Sequence, residues 1–488
     1  MELKNKSRTT YSLLNIAMGI GGYFLNTVMG FICRVIFTRC LSADYLGLSG
    51  LFNNLLSMLS LAELGIGSAI IYALYKPIAN RDYEKISTLM KFYSKAYRTI
   101  GVVVAVVGLA MMPFLQYFVG TPKISENIYV IFLMYLFCTA STYFFTYKGA
   151  LITAHQQNYV VLGIFYIQSI VQNTIQIVIL IVTHNFYYYL IAQIICVLLA
   201  NFTLSFTANK KYPYLKEKEV KPFDKEEKKI LFKNIKAVVI VKISGLLVNN
   251  TSNIILSFLK GITIVGLSSN YTLLSTTLNS LLNQIFTGVT ASVGNLNVNE
   301  TAERKVKTFN FINLANFWLF GWAAIALIVL SNDIVHFLFG PKYLLDISIP
   351  FILALNFYMV GMQNAVWTFK NTMGLFRYGR YLLLLTAAIN IVLSYWFGTM
   401  WGLFGIFFAM TVSRLVTNTW YDPYAVFKYG LFVSPWRYFK KFIQYFVILV
   451  LTLALTYFSC YYISLPFLFL TLLVKTVITC LVPNIVFF

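Results

Sequence analysis

The sequence predicts an all-α polytopic membrane protein of about fourteen transmembrane helices. They are expected to form two pseudo-symmetric six-helix lobes around a central cavity, with two further C-terminal helices. Three observations lead there. The 488 residues are 59% hydrophobic and only 11% charged, with mean hydropathy +0.73, whereas a soluble protein carries roughly 25% charged residues. Apolar runs of about 20 residues, the length that crosses a hydrocarbon core, recur along the chain. Lys and Arg alternate between rich and sparse loops, as they do in chains that thread a bilayer repeatedly.

The first six helices are expected near 12–37, 44–76, 87–118, 127–150, 158–183 and 186–207. The next six are expected near 232–258, 264–292, 307–331, 346–370, 377–399 and 401–422, and the last two near 438–459 and 461–486. The first follows Lys4, Lys6 and Arg8; it is too long for a signal-peptide core and lacks a small-residue cleavage site, so it reads as an uncleaved helix. The domains read as an N-terminal lobe at 1–208, a Pro- and Lys/Glu-containing solvated linker at 209–229, a C-terminal lobe at 230–428 and an extra helix pair at 429–488.

The second apolar run, LSADYLGLSGLFNNLLSMLSLAELGIGSAIIYALYKPIANR, organises the rest. Asp44 is placed to cap its start, and Lys76-Pro77 is expected to stop it, because proline lacks an N–H and clashes with the preceding turn. On a helix, Ser49, Asn53, Ser57, Ser60 and Gly67 fall on one stripe with Glu63 at its edge. Lipid cannot satisfy such groups, so the stripe should face protein or water. Glu63, mid-membrane, is expected to be ion-paired (with Lys242 or Arg34), protonated and hydrogen-bonded, or exchanging protons during transport.

Charge sets the orientation. With the N-terminus inside, the inner loops carry Lys76, Arg81, Lys85, Lys148, the Lys-rich linker, Arg304, Lys305, Lys307, Lys370, Arg377, Arg380, Lys428, Arg437, Lys440 and Lys441. The outer loops carry Arg39, Lys123, Lys260 and Lys342, partly balanced by Glu126, Asp333 and Asp346. Both termini are therefore expected in the cytoplasm. Lys475, inside the last helix, fits this pattern poorly: either it snorkels or the helix boundary lies elsewhere. A weak repeat supports two parallel halves: YLGLSGLF resembles IVGLSSNY, and YKGALITAHQQNY resembles FKNTMGLFRYGRY, which aligns Lys148 with Lys370 and Tyr159 with Tyr381. The two lysines are expected to cap helix C-termini or meet lipid headgroups.

Polar side chains recur at helical spacing within the spans. These are Asn15, Gly19, Gly22 and Asn26; Gln168, Gln172 and Gln176; Lys242, Asn249, Asn253 and Lys260; Thr272, Thr276, Asn279, Asn283 and Thr290; and Thr411, Arg414, Asn418 and Tyr421. Such stripes either glue helices together or line an aqueous path. The candidates for substrate contact are Arg34, Lys242, Asn249, Asn253, Asn279, Asn283, Arg414 and Asn418, with Glu63 for coupling or charge pairing. Lys91, Lys95 and Arg98 read as a snorkelled stripe at one membrane face. The net charge of +22 would suggest nucleic acid in a soluble protein; here loop orientation accounts for it. The six cysteines form no CxxC pair and the three histidines are isolated, so neither metal nor redox cofactor is indicated. No Walker A, nucleophile elbow or zinc spacing occurs, which argues against an enzyme.

The stretches YLGLSGLF, LSMLSLAELGIGSAI, YKPIA and KFYSKAYR, and NNTSNIILSFLKGITIVGLSSNYTLL in the second half, resemble the polysaccharide flippases of the multidrug/oligosaccharidyl-lipid/polysaccharide exporter superfamily. The resemblance covers most of the chain and implies a cargo of oligosaccharide on polyprenyl diphosphate. That cargo would be moved outward across a bacterial cytoplasmic membrane by alternating access, for capsule, O-antigen or exopolysaccharide synthesis. Implied partners are membrane lipids, a coupling cation (proton or sodium) and polymerase or glycosyltransferases of the same pathway. The excess of intramembrane cations suits a diphosphate. An ion-coupled multidrug or small-solute antiporter, the alternative, would call for an acidic cavity. Where family members often carry an Asp in the seventh helix, this chain has Thr251-Ser252-Asn253, which speaks against cation coupling there.

Overall fold

A computed structural model of the chain describes residues 14–15, 17–59, 66–120, 122–216, 247, 250–375, 378–379, 381–463 and 465–487. Most of the described residues are helical, with no strand among them. Among them, nine helices are long and apolar enough to cross a membrane. Their outward faces carry large apolar side chains, such as Val182 at 73% exposure and Phe311 at 72%. Such surfaces are stable against lipid tails and not against water. The protein is therefore an all-α polytopic membrane protein. The chain packs as two compact units, Met1–Asn250 and Thr251–Phe488.

In the first unit, a π-helical turn at Met18–Gly22 leads into helix Tyr23–Cys40. Of the second expected span the described stretches Ala43–Leu59 and Ile66–Ala79 are helical; Ser60 and Glu63 lie outside the described residues. Asp44 falls in the first turn, and its carboxylate accepts the Lys123 backbone N–H at 2.7 Å, tying the helix start to the loop before Ile128. Pro77 does not stop the helix, which runs on to Ala79. The turn beyond it is closed by the backbone N–H groups of Asn80 and Asp82, which donate to the carbonyls of Lys76 and Pro77.

Helices Tyr83–Val119, Ile128–Ala154, Asn158–Thr183 and Phe186–Lys211 complete the unit. Asn127 and Asn185 cap the second and fourth of these by accepting from Tyr129 N and Tyr187 N. Aromatic contacts fill the interior: Phe52 meets Phe132 and Tyr135, and Phe37 meets Phe186 and Tyr189, all with centroids 5.2–6.0 Å apart. Asn15 donates to Gln156 O and accepts from Tyr159 N, so this member of the first stripe is helix–loop glue.

The second unit contains helices Ile262–Asn299, Ala302–Phe339, Ser348–Thr372, Leu382–Leu415, Trp436–Tyr461 and Leu468–Phe487. Helix Leu382–Leu415 is interrupted at Gly402, whose φ of 61° and ψ of −134° reverse the chain. Across this reversal Phe397 meets Phe408 at 5.8 Å between ring centroids, a contact that residues eleven apart on a straight helix could not make. A Cβ at Gly405 would overlap the Phe397 carbonyl oxygen. The two expected spans 377–399 and 401–422 are thus a hairpin with almost no loop. Tyr271, fully buried, donates to Asn332 at 2.7 Å and accepts from Leu345 N at 3.0 Å, joining two helices to the 340–347 turn.

Two charge expectations are corrected. Asp333 lies within helix Ala302–Phe339, not in an outer loop, and Lys475 neither snorkels nor stands alone: their ion pair measures 2.7 Å. The pairing satisfies both charges where lipid would satisfy neither.

Candidate functional site

The polar side chains of each unit form separate clusters. In the first unit, Arg34 is half-buried on helix Tyr23–Cys40, within electrostatic reach of Cys33, Tyr135 and Tyr189. Tyr135 donates to Ser49 Oγ at 2.9 Å, and Ser49 donates to the Tyr45 carbonyl at 2.8 Å. Ser49 of the organising stripe therefore faces protein, while Asn53, one turn on, is exposed. The result is a guanidinium among tyrosines and hydroxyls, inside a helical bundle. Sequence reasoning singled out Arg34 and Ser49; Tyr135 and Tyr189 were hidden among the chain's 34 tyrosines.

The glutamine stripe is a ladder along one helix. Gln168 donates to Gln172 at 2.6 Å, Gln172 to Gln176 at 3.4 Å, and Gln176 to the Tyr189 carbonyl at 3.1 Å.

In the second unit the structure joins Asn279 and Asn283 through a bond of 2.5 Å, and Asn364 donates to Asn283 Oδ1 at 2.8 Å. Asn364, from the tenth expected span, extends a stripe that periodicity confined to one helix. Asn418 is buried and accepts from Thr386, which also shares a 2.7 Å hydrogen bond with Thr417. Thr411 is buried and donates to Asn356 at 2.9 Å. Arg414 is half-buried in the last turn before the break at Val416–Thr417, and Asn253 is half-buried beside the buried pair Thr251 and Ser252. Lys242, Asn249 and Glu63 lie outside the described residues.

The aligned lysines differ in their surroundings. Lys370 pairs with Asp422 at 2.6 Å, and Trp367 donates its indole N–H to the other Asp422 oxygen at 3.1 Å. The capping or headgroup role expected of Lys370 gives way to an ion pair, because Asp422 lies in the buried face of helix Asn418–Ala425. Lys148 instead donates to Ser205 Oγ at 2.8 Å and to Asn209 Oδ1 at 3.0 Å.

Helical units with cations and amides held inside them are those of a polytopic membrane protein with a polar interior. The chain belongs to the polysaccharide biosynthesis protein family, whose model matches residues 12–291. Among solved structures, it is similar to a lipid II flippase, MurJ, in an inward closed conformation: 16% identity, TM-score 0.66, 98% of each chain covered. It is also similar to an inward-facing multidrug resistance MATE family transporter of the MOP superfamily, at 12% identity and TM-score 0.62, covering 82% of this chain and 95% of that one. A Vibrio cholerae MATE transporter, VcmN, follows at 11% identity and TM-score 0.55, covering 86% of this chain and 98% of that one. At these identities the likenesses establish the fold. No curated protein sequence matches the chain.

Proposed function

We propose that this protein is a flippase, not an enzyme, that translocates polyprenyl-diphosphate-linked oligosaccharide repeat units across the bacterial cytoplasmic membrane by alternating access. It would serve capsule, O-antigen or exopolysaccharide synthesis. The observation that carries the reading is Arg34 among Tyr135 and Tyr189 inside the bundle of a polysaccharide biosynthesis family member. A guanidinium in low dielectric binds diphosphate oxygens in a fork of charge-assisted hydrogen bonds, and tyrosine rings offer apolar faces and hydroxyls to sugars. Arg414 and Lys242 are proposed to supply further cations, and Asn249, Asn253, Asn279, Asn283 and Asn418 the amides of the path. Glu63 is proposed to pair or to couple to a proton or sodium gradient. The lobe limits 1–208 and 230–428 and the cytoplasmic placement of both termini belong to the same reading.

The test is reconstitution. Proteoliposomes carrying a polyprenyl-diphosphate oligosaccharide in the inner leaflet should expose it to an external glycosidase, and Arg34→Ala should slow exposure while the protein still inserts and folds. Gradient-driven efflux of a cationic drug with no exposure of the glycan would overturn the reading in favour of an antiporter.

A further inference from the structure

The repeat that aligns Lys148 with Lys370 places the two lysines at the same point of each half, near the end of the fourth and tenth spans. In the second half the ammonium is neutralised by Asp422 on the twelfth span, at 2.6 Å. In the first half, helix Phe186–Lys211 offers Ser205 and Asn209 instead, both neutral. Two of the three N–H donors of Lys148 are used, and no carboxylate among the described residues balances its charge.

That charge borders a cavity of about 280 Å³, whose polar lining is Ser87, Lys91, Ser94, Tyr147, Lys148 and Asn209, with the apolar Met90 and Leu215 completing it. Arg98 lies within electrostatic reach of Lys148, so the polar part of the lining combines positive charge with hydroxyls. The volume lies at the lower edge of the roughly 300–1,000 Å³ typical of drug-sized ligand sites, and suits a headgroup. Charge and donors of this kind select an anion with several acceptor oxygens. The cavity belongs wholly to the first unit, at the helix ends where Lys210 and Lys211 also lie, the end that the charge pattern predicts to be cytoplasmic.

We propose that Lys148, Lys91 and Ser94 form a phosphate-binding site in the first unit, bordered by Ser87, whose hydroxyl donates to the Tyr214 carbonyl at 3.4 Å, and taking the phosphate of an anionic membrane lipid or a free phosphate. It is distinct from the Arg34 cluster and does not depend on what the protein transports. The Asp422 carboxylate fills the equivalent need in the second unit, so the second unit needs no ligand there.

The asymmetry between the two lysines supplies the experiment. Asn209→Asp gives Lys148 the carboxylate that Lys370 already has, and is expected to fold as wild type does. Purified full-length protein in detergent micelles is mixed with phosphatidic acid, with phosphatidylcholine or with sodium pyrophosphate, and bound ligand is counted by native mass spectrometry. Phosphatidic acid should bind wild type at least roughly tenfold more tightly than it binds Asn209→Asp or Lys148→Met, as expected when one close charge–charge contact is removed. Phosphatidylcholine should bind all three alike. Pyrophosphate binding that is lost in the same variants, without a matching effect on phosphatidic acid, would assign the site to a free phosphate. Equal binding of both probes by wild type and by a folded Asn209→Asp would overturn the proposal, whatever the outcome of the glycan translocation assay.

Discussion

Replacing Lys370 by Met removes the ammonium from a carboxylate that has no solvent to fall back on: the two side chains are 15% and 6% exposed. At 2.6 Å, the gross Coulomb attraction at an effective dielectric near 20 is about 6 kcal/mol. Desolvation of both ions offsets much of it, so the pair's net worth is far smaller than the cost of breaking it from one side. Leaving Asp422 with the Trp367 indole as its one remaining hydrogen-bond partner among the described residues should destabilise the protein by about 3–5 kcal/mol. Converting both partners, Lys370→Met with Asp422→Leu, removes the stranded charge and should recover most of that loss, leaving about 1 kcal/mol for the orphaned indole N–H. The assay is a double-mutant cycle on equilibrium unfolding in detergent, with Asp422→Leu as the second single variant. A coupling energy above about 2 kcal/mol is expected; effects that add within about 0.5 kcal/mol would refute the view that this pair acts as a unit.

Three further outcomes are expected. Lys475→Met should lower unfolding stability by about 1.5–3 kcal/mol by unpairing Asp333, whereas Lys475→Arg should restore most of it; a Met variant as stable as wild type would dismiss the ion pair as a contributor. Gly405→Ala should fail to accumulate in the membrane because its Cβ overlaps the Phe397 carbonyl, while Gly402→Ala, which strains one residue by about 1–3 kcal/mol, should accumulate at reduced level; quantitative blotting separates them. His155, outside the spans, is held below its usual value of 6.5 by burial and, secondarily, by Lys211. The unfolded chain therefore takes up a proton that the folded one resists, so stability should fall as pH drops below about 6.5 and His155→Gln should flatten that slope, as read by unfolding in detergent between pH 7 and pH 5, roughly the His titration range.

Local signals carried most of the helices. Helix Asn158–Thr183 was legible to the residue because apolar character ends at His184, which adopts left-handed φ of 50°, and Asn185 caps the next helix. Partners distant in sequence were not legible. Nothing in a hydropathy profile distinguishes an acid that ends a loop from Asp333 or Asp422, each of which answers a lysine 142 or 52 residues away. The Gly402 reversal read as a gap between two spans because a hairpin this tight leaves no loop composition to detect. Arg34 stood out as a charge in an apolar run, but its tyrosine neighbours come from two other helices, and periodicity within one helix cannot supply them.

The glutamine ladder has a bearing on motion. Each amide of Gln168 and Gln172 finds its acceptor one turn along the same helix, and only Gln176 reaches outside it, to the backbone of the next helix in the chain. A polar stripe wired in this way carries its own solvation. Between its tie to Asn15 at Tyr159 and the bond from Gln176, the Asn158–Thr183 helix can shift against a neighbour, or meet lipid, without the Gln168 and Gln172 amides exchanging the acceptors they use. Its polar face thus behaves mechanically like an apolar one, a low-friction bearing surface hinged near Gln176.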